Sequence, residues 1–452
     1  MNLSRVRSQL VVLSLVWHAA AAVDYASLED TTLAELRRNR VPGCAVAVVE
    51  TGRVALAKGF GTTCIEEGRP VTADTLFRIG STTKMFTAAA VVGLAEERKL
   101  DLQKPIGNYV KGLHPALARV TIHQLLTHTA GFNDPNAHYG PHDDPALGQG
   151  LRARDGRLAF VEPGTIYSYS NAGYWLAGLL AEEVAAKPYA DVIKDRILKP
   201  LGMSRSTFRP TEAMTWPFAV GHEPESRAPA KVVRPLADNA AVWPAGQLFT
   251  TANEFARWCI AFMDGGKLEG KQLLSPFIIT QLATPHVPVP GDDRHYGYGL
   301  SIRKQGGLTW LSHTGSRLGY GSQIRMCPDK KFAVVILCNK TGANLPRVAD
   351  KAAELVLGIP PEPPEPREPM PMTLEEMRRC VGKYSNGTGR FELVFKDGRL
   401  QAVPGGEVKK VGANRFISGK APDGSTIAFQ LVSGMDGKPA FLMRKGRALK
   451  RQ

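Results

Sequence analysis

The stretch "FRIGSTTKMFTAAAVVGLAEE", residues 77–97, sets a serine at the head of an apolar segment and a lysine three positions later. On a helix, Ser81 and Lys84 share a face, so their side chains can meet. The run from Met85 to Leu94 is apolar almost all round, the pattern of a helix buried on every side. A lysine at the entrance to such a helix loses water, and desolvation pushes an amine towards its neutral, basic form. A neutral amine beside a hydroxyl is the least apparatus that makes serine a nucleophile. The plainer reading makes Ser81 an N-cap and turns Lys84 to solvent. The same spacing recurs at Ser301 and Lys304 in "YGYGLSIRK", residues 296–304. That segment has strand character, and on a strand positions three apart face opposite ways.

A serine–lysine pair needs two further parts. One is a group that handles the proton of the leaving atom. "EPGTIYSYSNAGYWLAGLL", residues 162–180, offers Tyr169 and Asn171 in a loop ahead of an apolar helix. A phenol serves as acid or base when nearby cations lower its pKa, and the Asn171 amide suits holding Lys84 and a substrate carbonyl. The other part is an edge strand with a backbone donor for an oxyanion. "LTWLSHTGSRLGYGS", residues 308–322, runs an apolar strand into His313, Thr314, Gly315, Ser316 and Arg317. Gly315 lets a substrate backbone come close. The Ser316 N–H can then pair with the Ser81 N–H as an oxyanion hole. A second "HTAG", at His128, lies in helix-like surroundings and reads as a decoy.

The 452 residues, 43% hydrophobic and 22% charged, suit two or three globular domains. Residues 1–22 carry Arg5, Arg7, an apolar core from Leu10 to Trp17 and a run of alanines, the pattern of a secretory signal. The expected location is therefore periplasmic or secreted. The apolar core is too short for a lasting anchor, and no transmembrane segment is expected after processing. A body over 23–358 is expected to build one sheet from its two ends, with "CAVAVVETGRVALAKGFG" as a hairpin and "FAVVILCN" as a buried strand. Seven prolines between Pro360 and Pro371 mark residues 359–371 as a stiff linker crossed by few contacts. Residues 372–452 alternate apolar and polar, with turns at Asp397-Gly398, Asp423-Gly424 and Asp436-Gly437, and read as a small antiparallel β domain. Hairpin register sets Cys44 opposite Phe60-Gly59 rather than Cys64, and Cys338 opposite Gly321 rather than Cys327, so buried free thiols are expected. Net charge is +15, and residues 371–452 hold 16 Lys and Arg against 7 Asp and Glu. On an exported chain this suits an anionic cell-envelope surface, or a plain solvated face, rather than nucleic acid.

Together, "FRIGSTTKMFTA", "KLDLQKPI", "TIHQLLTHTAGF", "PGTIYSYSNAGY", "KPLGMSRSTF", "PAGQLFTTANEFARW", "YGYGL" and "HTGSRLGYGS" make the chain resemble the β-lactamase-related serine hydrolases from Leu33 to Leu357. That group holds class C β-lactamases, D-alanyl-D-alanine carboxypeptidases, D-aminopeptidases and related esterases. The resemblance implies an α/β (α+β) fold of the β-lactamase/transpeptidase type, an antiparallel sheet flanked by helices with a helical subdomain. The C-terminal segment looks like the lipocalin-like barrel of some members. The likeness further implies Ser81 as nucleophile, Lys84 as its base, Tyr169 as proton shuttle and Asn171 as polar clamp. His313 would open a third motif running through Thr314, Gly315 and Ser316. No metal or organic cofactor is implied. β-Lactamases and carboxypeptidases generally carry lysine where this chain has His313, which resembles the D-aminopeptidase and esterase branches. Histidine loses its charge by about pH 7, so penicillin-like substrates are less expected, although Arg317 could partly replace that charge. The expected function is an exported hydrolase forming an acyl-serine on a small-molecule ester, amide or peptide. The alternatives are a β-lactamase or D-alanyl-D-alanine carboxypeptidase, or a penicillin-binding or sensing module that acylates without turnover.

Overall fold

Two strands, Gly43–Glu50, buried up to Val49, and Phe332–Cys338, buried throughout, form the spine of the body. They pair antiparallel, with Cys44 opposite Cys338 and Val48 opposite Val334. Alternate residues enter two different cores, as the period of two requires. Val46, Val48, Val334 and Ile336 pack against Leu28, Leu36, Val348 and Ala352 of the helices Ala26–Asn39 and Pro346–Leu357. Ala45, Ala47, Val335 and Leu337 face the larger core, which includes Phe255 and Trp258 of helix Ala252–Met263. Eight strands make this sheet, in the order Arg53–Gly61, Gly43–Glu50, Phe332–Cys338, Tyr320–Cys327, Leu308–Arg317, Ser301–Gln305, His295–Tyr296 and Val287–Pro288. The hairpin registers match expectation: Cys44 faces Phe60 and Cys338 faces Gly321. All six cysteines are buried and unpaired. The computed structural model describes residues 23–452 except 136, 226–229, 362–367, 422–424 and 435–436. The expected signal segment, much of the proline linker and the turn residues Asp423, Gly424 and Asp436 lie outside the described residues. No described helix is long and apolar enough to cross a membrane.

Helix Lys84–Glu96 is buried from Lys84 to Leu94 and runs through the middle of the larger core. A four-residue 3-10 turn, Gly80–Thr83, delivers the chain into it. Helix Asn171–Ala185 lies against it and is itself buried from Ala172 to Ala181.

Residues from Gly382 to Arg451 form a nine-stranded antiparallel sheet that curls into a nearly closed barrel. The Gly419 N–H, on the strand next to one end, donates to the Gly405 carbonyl beside the strand at the other end at 2.7 Å. Tyr384, Phe391, Leu393, Phe429 and Leu442 fill its interior. The turn at Asp397-Gly398 holds both residues at positive φ, as a primed hairpin turn demands. Contrary to the expectation that few contacts cross the linker, Met443 and Ala448 of the barrel share a buried cluster with Ile166, Tyr167, Val289 and Tyr296 of the body.

Candidate active site

At the entry to helix Lys84–Glu96, Gly80 and Gly315 let two backbones cross with no room for side chains. A Cβ on Gly80 would lie 2.6 Å from the Ser316 nitrogen, and one on Gly315 would lie 1.9 Å from the Ile79 carbonyl oxygen. Gly80 also holds φ at +54°, where glycine is unstrained. Ser81 is thereby set beside the second half of strand Leu308–Arg317. That strand was expected at a sheet edge, and it is interior. Its neighbour Ser301–Gln305 covers it only as far as Ser312, however, so residues 313–317 are uncovered on that side.

The Lys84 Nζ is fully buried, 3.1 Å from Ser81 Oγ, 2.7 Å from Asn171 Oδ1 and 2.8 Å from the Ala245 carbonyl oxygen. Burial pushes its pKa well below that of an ordinary lysine; the nearby Arg447 adds to this and Asp134 opposes it. A neutral amine has two N–H donors and one lone pair. When Lys84 is neutral, the two carbonyl oxygens take both donors and leave the lone pair for the Ser81 hydroxyl. This excludes the N-cap reading, in which Lys84 faced solvent.

Tyr169 lies over Lys84, with Nζ 4.8 Å from the ring centroid. Burial raises its pKa; the Ser81 hydroxyl and Arg447 counter this only in part, so the resting phenol keeps its proton. Its hydroxyl approaches the Ser81 hydroxyl without completing a hydrogen bond of normal geometry among the described residues.

His313 is placed differently from expectation. Its Nδ1–H donates to the Thr314 carbonyl at 2.7 Å, and its Nε2 accepts the Tyr296 hydroxyl at 3.2 Å. Burial pushes its pKa down to about 3, and a proton on Lys84 would act in the same direction. The ring is thus neutral throughout the working pH range, and the expected loss of charge near pH 7 is corrected. Arg317 reaches the His138 carbonyl at 2.8 Å, and burial holds its pKa down at about 10, so it remains a cation. A cavity of about 250 Å³ opens over Ser81, lined also by Asp134, Asn171, Trp175, Ser316 and Arg317.

Three further residues belong to the site that sequence reasoning did not place there. His128, a decoy by its sequence surroundings, packs against Tyr169 with tilted rings whose centroids are 4.2 Å apart, and its Nδ1 accepts the Ser170 N–H. Asp134 accepts both the N–H and the Nδ2–H of Asn171, at 3.1 and 3.0 Å. Arg447 comes from the barrel and pairs with Asp134. The "HTAG" at His128 was visible; the other two carry no local pattern.

The neutral state of His313 has a measurable cost at low pH. In the unfolded chain this ring titrates near 6.5; in the folded protein it does so near 3. Between those values the unfolded state holds the extra proton, so stability is complete above about pH 6.5 and falls as pH drops. His128, also depressed by burial, acts in the same direction. Each histidine contributes roughly 1.4 kcal/mol per pH unit across its window. The Tm should fall steadily from pH 6.5 to 4.5, and His313→Gln should flatten that slope. Equal slopes in both proteins would mean that native His313 binds its proton at pH 5.

The family model described as Beta-lactamase matches residues 27–358. Among curated proteins, protein flp of Staphylococcus aureus strain MW2 is 26% identical over 326 residues, covering 70% of this chain and 63% of that protein. The unguisins hydrolase ungD' of Aspergillus campestris is 29% identical over 338 residues, covering 70% of this chain and 61% of its own length. The chain therefore spans less than two thirds of these relatives. The octameric penicillin-binding protein homologue from Pyrococcus abyssi superposes with a TM-score of 0.67 at 26% identity, over 95% of this chain and 100% of that one.

Proposed function

The chain belongs to the beta-lactamase family, and from that premise we propose that it is a serine hydrolase that forms an acyl-enzyme on Ser81. The observation that carries this is the buried Lys84 amine, 2.7 and 2.8 Å from two carbonyl oxygens and 3.1 Å from Ser81 Oγ. Lys84 takes the Ser81 proton as Oγ attacks the substrate carbonyl carbon. The Ser81 and Ser316 N–H groups receive the oxyanion. Tyr169 gives its proton to the leaving atom and is reprotonated from the Lys84 ammonium, so no net charge is left in the site. Water then attacks the acyl-serine with the same groups acting in reverse.

Esters and amides of small acyl groups, including D-amino-acid amides, are the leading substrates, because neutral His313 offers no charge to a carboxylate. The presence of Arg317 in the wall of the cavity favours a second reading, a carboxylate-bearing β-lactam or D-alanyl-D-alanine peptide. Action outside the cytoplasm follows from the signal-like residues 1–22. A fluorophosphonate should add a stable adduct that peptide mapping places on Ser81, and Ser301→Ala should label as wild type does. Turnover of p-nitrophenyl esters, D-alanine amides and nitrocefin then ranks the two substrate readings. A single burst of product with no turnover on any of them would turn the enzyme into a sensor. Labelling that persists in Ser81→Ala would overturn the assignment.

A further inference from the structure

We propose that the C-terminal barrel completes the reactive centre, with Arg447 as a positioning residue that holds Asp134 and, through it, Asn171 and Lys84. The inference rests on the serine-hydrolase reading of Ser81 and Lys84. Arg447 comes directly after the turn Lys445–Gly446, which joins the last two barrel strands, Pro439–Arg444 and Arg447–Arg451. The turn is fastened to the catalytic loop on both sides. The Tyr169 N–H donates to the Gly446 carbonyl at 2.9 Å, and the Ala448 N–H donates to Ser168 Oγ at 3.1 Å. Between these two ties, the Arg447 Nε donates to Asp134 Oδ2 at 3.1 Å and its terminal NH2 pairs with the same oxygen. Its guanidinium also lies 5.2 Å from the Tyr169 ring centroid.

One line of contacts therefore runs from barrel to nucleophile. Arg447 fixes Asp134, Asp134 accepts two donors of Asn171, and the Asn171 Oδ1 accepts from Lys84, which touches Ser81. Charge explains why a cation has to stand at the far end. A buried carboxylate near an amine draws a proton onto it, and a protonated Lys84 cannot serve as base. Arg447 cancels the Asp134 charge, so Lys84 stays neutral. The other titratable groups around Lys84 are Tyr169, Tyr174, His128 and His313. The two tyrosines keep their protons and the two histidines stay neutral, so none of the four can take over the task.

The test uses full-length protein and the rate of Ser81 labelling by a fluorophosphonate from pH 5 to 9. The acid limb of that profile reports the proton on Lys84. In Arg447→Met the limb should move up by on the order of one pH unit, with labelling slowed about tenfold at pH values on the acid side of the wild-type limb. Arg447→Lys should keep the wild-type limb, and adding Asp134→Asn to Arg447→Met should bring the limb back. Asp134→Asn alone leaves Arg447 uncompensated and should move the limb down. Arg399→Met, which breaks an exposed ion pair elsewhere on the barrel, should change nothing. A folded Arg447→Met with the wild-type limb and rate overturns the proposal and leaves the serine-hydrolase reading standing. If Arg447→Met does not fold, an unmoved limb in Asp134→Asn has the same force. A wild-type protein that Ser81 probes do not label overturns both.

Discussion

Lys84→Met should be folded and almost inert. Methionine nearly matches the length of the lysine stem and suits the apolar helix around it, so the core is kept. The change strands Asn171 Oδ1 and the Ala245 carbonyl, a loss of about 1–3 kcal/mol for each buried acceptor. Against this, it removes an amine that helix burial holds away from water. The two effects oppose each other, and the Tm should move by only a few degrees. Activity has no such compensation. Without a base, Ser81 keeps its proton, and kcat on a p-nitrophenyl ester should drop by about 10³- to 10⁴-fold. Ser81 labelling should slow in parallel. A Lys84→Met enzyme with a tenth or more of wild-type kcat would show that another group takes the serine proton.

A chain ended after Gly358 should lose activity by roughly 100-fold or more, even where some of it stays in solution. The sequence suggested the reverse, a body independent of the β domain beyond the prolines. Cutting there uncovers Ile166, Tyr167, Val289 and Tyr296, which the barrel's Met443 and Ala448 now cover. It also takes away the Gly446 carbonyl that fixes the Tyr169 backbone. A shift of about 1 Å in such a group costs on the order of 10²-fold in rate. Exposed tyrosine and isoleucine side chains should make the truncated protein aggregate sooner on warming. Gel filtration and kcat/KM on one ester decide the matter. A monodisperse truncate with wild-type kcat/KM would mean that the barrel is a passenger.

What could be read from the sequence was what is local. Ser81 and Lys84 lie one helical turn apart, and the apolar run behind them announces burial. Tyr169 and Asn171 sit at the start of another buried helix. Strand registers around Cys44 and Cys338 came from turn positions alone. The pairing of Cys44 with Cys338 was hidden because turn positions relate each cysteine only to its own hairpin partner. Asp134 and Arg447 were illegible for a deeper reason. They are 313 positions apart and meet only because the barrel folds back over the loop. An aspartate in "FNDPN" and an arginine in "RKGRALKR" look like any surface charge. His313 was found, but its state depends on Tyr296, whose hydroxyl reaches it across the sheet.

The sheet spine joins a strand that begins at Gly43 to one that ends at Cys338, and this sets an order on events during synthesis. The first strand leaves the ribosome long before its central partner exists. At roughly 5–20 residues per second, the wait lasts on the order of tens of seconds. Throughout that time only the Arg53–Gly61 hairpin arm can cover one edge of an otherwise apolar ribbon. Closure of the spine is a late, long-range step, the kind that slows folding most. A nascent chain of this design stays open until nearly all of the body has been made, which leaves ample time for handover to a chaperone.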